Sequence, residues 1–386
     1  MQKMARRLGL RLNGIGRAAD DGTARLKMGR LRASRRAPLL AAGVLACVVA
    51  AGCGGSDKSG SSSTADSQAG SGSASNASPA GDSGTSKGGK LHFYLVYHAP
   101  ASDAFAQHVV TGAKDAAEDL GVSVTFRGPN NETFQAADQA RLISDAIAAR
   151  PNGIILSDPA PKGMDPMIKR AISNGIPVVM TNCCESAAAG IPGLLGYVGG
   201  SEREAGKAAA QRMCAAGAKD LLWLTIPPGL VSSLDDRGAG IKEGFTCGKV
   251  KFVISQIAAF TGNSASVAHG LEAALHKDPN VDAVVGAGNL AIPPILTARA
   301  TLGARADKVH WSSFDLSPQG LQAVIKHQMD FLVDGQPYLQ GYLPVLHLAQ
   351  RARYGITPQK VTTTGPNLVD ATTAATVLPL LAKHVR

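Results

Sequence analysis

From residue 91 onward, short apolar runs alternate with longer stretches whose apolar residues recur at three- and four-residue intervals. Runs at 91–97, 123–127, 153–157 and 177–181 are rich in Val, Ile, Leu and aromatic residues and read as strands. Stretches 103–120, 133–149 and 164–174 read as helices. In the first of them Phe105, Val109, Val110, Ala113, Ala116, Ala117 and Leu120 make one apolar face. A second series follows: strand 221–225, helix 234–245, strand 251–255, helix 264–276, strand 283–286, helix 292–302 and strand 309–314. Segments 321–327, 331–333 and 337–351 complete the alternation. Two successive series of this kind predict an α/β chain with two doubly wound parallel-sheet lobes.

Ligands of such sheets sit beyond the carboxyl ends of the strands. The first strand ends into 98–105, where Pro100 bars an early helix and Ser102 or Asp103 can cap the one that follows. This turn sets hydrogen-bonding groups (His98, Ser102, Asp103) beside the Phe105 ring. A polyol, with hydroxyl edges and C–H faces, needs both. His98 itself reads as a turn residue.

Charge changes the picture only at the amino-terminal end. The pI near 9.4 would suggest nucleic acid. Yet residues 1–53 hold 11 Lys+Arg against 2 Asp+Glu, leaving 28 against 27 for the remainder. The body therefore has no electrostatic reason to seek phosphate, and no nucleic-acid partner is expected. Arg30, Arg32, Arg35 and Arg36 precede an apolar run at 38–51. At 14 residues that run is short for a membrane span and suits a signal-peptide core. It ends Val49-Ala50-Ala51-Gly52-Cys53, which resembles a bacterial lipobox, with Ala50 in place of the usual Leu. That resemblance implies cleavage before Cys53 and lipid on its sulfur, placing the body outside the cytoplasmic membrane. Residues 54–90 are Ser/Gly-rich with almost no bulky apolar side chain, and read as a flexible tether with a mean reach of roughly 33 Å.

Seven short motifs then fall in order: PASDAF-x6-GAKDAAEDLG, NGIILSDPAP, NGIPVVMTN, YVGGSEREAGKAAA, LDDRGAGIKEGF, Phe314-Asp315 and DGQPYLQGY. In this order and spacing the body resembles the periplasmic sugar-binding proteins of ABC importers, the class I type of the ribose, xylose and inositol binders. The resemblance implies a periplasmic binding protein fold whose lobes are joined by a three-segment hinge. It puts lobe 1 at 91–200 with 337–365, and lobe 2 at 201–336 with 366–386. The chain would cross between lobes near 199–201, 336–337 and 364–367.

The same resemblance implies a ligand set. Arg237 matches an Arg that forks onto hydroxyls, as a planar guanidinium can; the rival is an ion pair with Asp235 or Asp236. Asp315, after a strand, would accept two hydroxyl protons, although a cap of the next helix competes, for which Ser317 is better placed. Asn182 would donate and accept at once. Gln336 lies at a lobe crossing, Asp103 matches a hydrogen-bonding position, Phe105 and Phe260 match stacking rings, and Asn289 lies near a ligand Asn. Two departures, Ala106 after Phe105 and Cys183 after Asn182, remove an aromatic and a guanidinium that a ribose binder would carry. Ribose therefore fits less well than a different polyol or a larger, less charged ligand.

Beyond Cys47 and Cys53, four cysteines remain, and an oxidising exterior favours disulfides. Cys214 ends one helix of the second lobe and Cys247 follows another, which favours their pairing. Cys183 and Cys184 are left either as an adjacent-residue disulfide or as free thiols. No metal-ligand spacing, cofactor motif, phosphate loop or G-x-S-x-G elbow appears. The expectation is a monomeric, non-enzymatic, lipid-anchored receptor on the cell envelope. It would hand a sugar or polyol to an ABC permease or, alternatively, report it to a membrane kinase or chemoreceptor.

Overall fold

The computed structural model describes residues 89–130, 135–255 and 263–386. The signal-like run, Cys53, most of the Ser/Gly-rich stretch and Phe260 lie outside the described residues.

The first series runs β1 His92–Val96, α1 Ala104–Leu120, β2 Ser123–Arg127, α2 Ala136–Ala148, β3 Gly153–Leu156, α3 Pro161–Ser173, β4 Val178–Asn182, α4 Glu185–Ala189 and β5 Gly196–Gly199. The second runs α5 Glu202–Ala216, β6 Asp220–Thr225, α6 Ser232–Gly244, β7 Lys249–Ile254, α7 Ser264–Lys277, β8 Ala283–Gly286, α8 Ile292–Thr301, β9 His310–Phe314, α9 Pro318–Ile325 and β10 Phe331–Asp334, with a short 3-10 turn at Asn289–Ala291. The chain finishes with α10 Pro337–Tyr354, β11 Val361–Thr363, β12 Asn367–Asp370 and α11 Ala374–Leu381.

These strands form two six-stranded sheets, ordered β11-β5-β4-β3-β1-β2 and β12-β10-β9-β8-β6-β7. β3 and β8 are buried at every residue, as expected where helices cover both faces of a parallel sheet. The apolar clusters on the two faces of each sheet supply the cores, with Leu95, Ile155 and Val179 on one face of the first sheet and Trp223, Val285 and Phe314 on one face of the second. All pairings are parallel except one: β12 runs antiparallel to β10, pairing Leu332 with Val369. The expected doubly wound parallel lobes are found, with β12 as an antiparallel edge added to the second. The chain re-enters the second sheet straight from β11, without a helix that would turn it round.

β5, β11 and β12 are also absent from the periodic reading. They are three or four residues long, and β5 is Gly-Tyr-Val-Gly, so none carries a pattern of its own. α4 and α11 escaped for the same reason of length or because α11 contains Pro379.

The chain passes between the sheets after β5, after β10 and after β11, and these three segments are tied together. The Thr364 backbone N–H donates to the Gly199 carbonyl at 2.9 Å. The Thr364 hydroxyl donates to the Gly335 carbonyl at 2.6 Å. Gln340 Nε2 donates to Gly335 O at 2.9 Å and reaches Thr364 Oγ1 at 3.2 Å.

Each half also contains a glycine seam between two helices. A Cβ on Gly112 of α1 would overlap the Tyr338 carbonyl of α10, and one on Gly341 would overlap the Val109 carbonyl of α1. In the second half Gly206 of α5 and Gly240 of α6 stand in the same reciprocal relation, against the Arg237 and Arg203 carbonyls. Cys214 and Cys247 are joined as a disulfide, linking α5 to the loop after α6. Cys183 and Cys184 are free and buried.

Candidate functional site

The carboxyl ends of the two sheets face one another, and the polar residues there converge on a gap between them. One pocket, about 300 Å³ of empty space including its open mouth, is lined from the first half by Ala104, Phe105 and His108. Asn289, Asp315 and Asp334 line it from the second half. A neighbouring pocket of about 260 Å³ is lined by Glu202, Arg237 and Phe314 and shares Asp315, Asp334 and Gly335 with the first.

Each group is placed by a strand or helix end. Phe105 sits in the first turn of α1, half-buried, with its ring packed on the first-half core. Asp315 directly follows β9 in the left-handed region (φ 63°), a conformation that Asp tolerates better than most residues. Ser317, not Asp315, caps α9, accepting from the Gly320 N–H at 3.0 Å. Asp315 is thereby left for other work. Burial pushes its carboxyl up to about 6; Arg237 opposes that rise, while Glu202 and Asp334 add to it.

Arg237, in the second turn of α6, is held on three sides. Its Nε donates to Glu202, and its NH1 donates to the Ala287 carbonyl at 2.6 Å and lies 3.7 Å from Asp315. The guanidinium stands 4.5 Å over the Phe314 ring. Burial works against its charge, but Glu202 and Asp315 more than offset that and raise its pKa above the ordinary arginine value. The rival ion pairs fall away: Asp235 accepts from the Gly229 N–H and Asp236 from the Ser186 hydroxyl.

Of the remaining sequence-predicted residues, Asn289 lines the first pocket, at the turn after β8. Asp103 is the N-cap of α1, its Oδ1 accepting from the Ala106 N–H at 2.8 Å. Asn182, at the end of β4 with φ 74°, donates through Nδ2 to Gln340 Oε1 at 3.0 Å. Gln336 is not among the lining residues of either pocket; its backbone N–H donates to Asp334 Oδ1 at 2.8 Å. The amide that bridges the connecting segments is Gln340, one helical turn further on. Phe260 lies outside the described residues. The structure thus brings Phe105, Asn289, Asp315 and Arg237 together around the two pockets, whereas Asp103, Asn182 and Gln336 line neither.

Sequence reasoning missed Glu202, Asp334 and Arg386. Asp334 carried a usable signal, since it ends a strand as Asp315 nearly does. Glu202 sits at the first turn of α5, just after a crossing between sheets, and its role depends on meeting Arg237 from another helix. Arg386 carried no signal.

Just past the end of β3, Ser157 and Asp158 are buried. His98 Nδ1 lies 2.8 Å from the Ser157 hydroxyl, and burial lowers its pKa to about 4. Asp158 is fully buried, and burial followed by the nearby Asp165 pushes it up to about 7. Between its ordinary value of 3.8 and about 7 the native carboxyl keeps a proton that the unfolded chain has lost. Stability from this group therefore falls as pH rises across that window. Asp158→Asn should remove the fall. Its unfolding free energy relative to wild type should climb between pH 4 and 7, by at most about 4 kcal/mol, and level off above. Urea titrations across that range check this; a pH-independent difference would rule it out.

Comparison with known proteins places this geometry. A family model described as a periplasmic binding protein domain matches residues 93–355. A xylose/arabinose-binding protein from Sulfolobus acidocaldarius is 25% identical over 268 residues, covering 63% of this chain. That match spans 64% of the archaeal protein's own length. A carbohydrate transporter structure from Acidothermus cellulolyticus, in complex with myo-inositol, is 28% identical with a TM-score of 0.66, covering 77% of this chain and all of that one. A glucose-galactose binding protein from Geobacillus stearothermophilus shares the fold at 23% identity and TM-score 0.64, over 74% of this chain and 98% of that one.

Proposed function

This chain belongs to the periplasmic binding protein domain family, and on that premise we propose that it is an extracytoplasmic receptor for a neutral sugar or polyol. The observation that carries this reading is the pairing across the gap. The Phe105 ring stands on one half, and the Asp315 carboxylate stands on the other with Arg237 beside it. A pyranose or cyclitol offers an apolar C–H face to the first and adjacent hydroxyls to the second. The relatives named above that carry a ligand in their description are described with xylose or arabinose, myo-inositol, and glucose or galactose, all of that class.

In this reading the two sheets are the cores of two lobes, with boundaries at 91–200 plus 337–365 and 201–336 plus 366–386. The three connecting segments tied by Gln340 and Thr364 are the hinge. Ligand binds one lobe first, and closure brings the second wall onto it. The Cys53 motif and the tether favour lipid attachment at the outer face of the membrane, from which a monomeric receptor delivers its ligand to an ABC permease.

A thermal-shift screen tests the binding step. Myo-inositol, D-xylose, L-arabinose, D-glucose and D-galactose are run against glycine and D-glucuronate. At 100 times Kd a ligand adds about 2.7 kcal/mol, a shift of several degrees. At least one neutral polyol should raise the midpoint. A response confined to glycine or to the sugar acid would overturn the reading.

A further inference from the structure

Residues 382–386, which follow α11, reach into the gap. α11 belongs to the second half, its residues Ala374, Val377 and Leu381 packing into the core beneath β10 and β12. His384 then meets His108 of α1 in the first half, ring centroids 5.1 Å apart at 71°. Arg386 lines the first pocket together with Phe105, Asn289 and Asp315. Its Nε lies 2.9 Å from Asp334 Oδ2, yet off the angle for a hydrogen bond, so both atoms are buried without a directed partner. Asp334 is 1% exposed. The pair is closed off from solvent, so what it presents to the pocket is the rest of the Arg386 guanidinium, whose side chain is 26% exposed and is held by the Asp334 charge.

We propose that Arg386 is a ligand-contacting residue: its guanidinium, held in place by the Asp334 carboxylate, grips adjacent hydroxyls of a neutral polyol. Residues 382–386 act as a strap that carries Arg386 into the gap beside Asp334. The proposal rests on the solute-binding reading above and narrows its ligand. Among the described residues, the charged side chains lining the two pockets are Glu202, Asp315 and Asp334 against Arg237 and Arg386. With three carboxylates to two guanidiniums the gap repels an anionic ligand and suits a neutral one with paired hydroxyls. A guanidinium is the fitting cation because its planar donors span two oxygens, which an ammonium does not.

Isothermal titration of wild type, R386K and R386A with myo-inositol, D-xylose, L-arabinose, D-galactose and D-glucuronate decides it, alongside each variant's ligand-free melting midpoint. R386K keeps the charge beside Asp334 and should melt with wild type, but it should bind the neutral probe at least 10-fold more weakly. R386A should lose about 30-fold or more. Full retention of affinity by R386K would mean that Arg386 serves only as a counter-charge, and would overturn the proposal while leaving the solute-binding reading standing. Tighter binding of D-glucuronate than of every neutral probe would overturn the neutral-ligand assignment. Wild type that binds no probe would remove the solute-binding reading, and this one with it.

Discussion

Asp315→Asn is expected to weaken ligand binding about 100-fold while the ligand-free protein stays folded. Asn keeps the volume and accepts the left-handed backbone at φ 63°, so the substitution removes charge and little else. A buried ligand hydroxyl that loses a charged acceptor forfeits roughly 2–3 kcal/mol, which corresponds to that fold-change. A pH dependence accompanies it. Burial holds the Asp315 carboxyl at about 6, so the accepting form fills as pH rises through that value. Wild-type affinity should therefore climb between pH 5 and 7, and the Asn variant should be flat there. Arg237→Ala is expected to abolish binding. It should also cost stability, because Glu202 and Asp315 would be left as buried carboxylates without their counter-charge. Calorimetry across pH separates the outcomes, and unchanged affinity in Asp315→Asn would dismiss this carboxylate as a ligand contact.

Gly240→Val should destabilise the fold by at least about 3 kcal/mol, and Gly341→Val should do the same from the other half. At both seams the obstacle to a Cβ is a backbone carbonyl of the facing helix, Arg203 in one case and Val109 in the other. A side chain can rotate away; a carbonyl bonded within its own helix cannot. The helices would have to separate, exposing the apolar faces they bury. Gly270, on α7, has open space where its Cβ would go. Gly270→Ala should accordingly be neutral, or stabilising by up to about 1 kcal/mol through helix propensity alone. Urea unfolding of the three variants checks this; Gly240→Val within 0.5 kcal/mol of wild type, by that estimate of a surface change, would show that the seam is not close-packed.

The periodicity of apolar residues was sufficient for the architecture. The long helices and most of the buried strands are local features, since a face that must meet a core writes its spacing into the chain. The rule that ligands gather at carboxyl strand ends pointed to 98–105 without any knowledge of which strands are neighbours, while Asn182 and Asp315 were singled out by the family resemblance. The short elements were different. β5, β11 and β12 exist because a sheet edge is already there to pair with them, and their three or four residues hold too little pattern to announce it.

The site divides along the same line. That Asp315 would be free for a ligand could be argued from Ser317, a better cap two residues on. That Asp103 would spend one oxygen on its own helix could not be decided, because Asp103 fits both roles by type and position. Asn182 and Gln336 line neither pocket: the Gln336 N–H is spent on Asp334, and Gln340, a turn into α10, joins the connecting segments and takes the Asn182 amide. Such a bond spans 158 residues of sequence, and no local pattern encodes it. What the amino-acid order determined was therefore which segments become strands and helices and which of their ends carry polar chemistry. Which polar ends meet, with Glu202 holding Arg237 and Arg386 arriving beside Asp334, was decided only when the two sheets faced each other, because distance and burial between remote charges are properties of the packed chain alone.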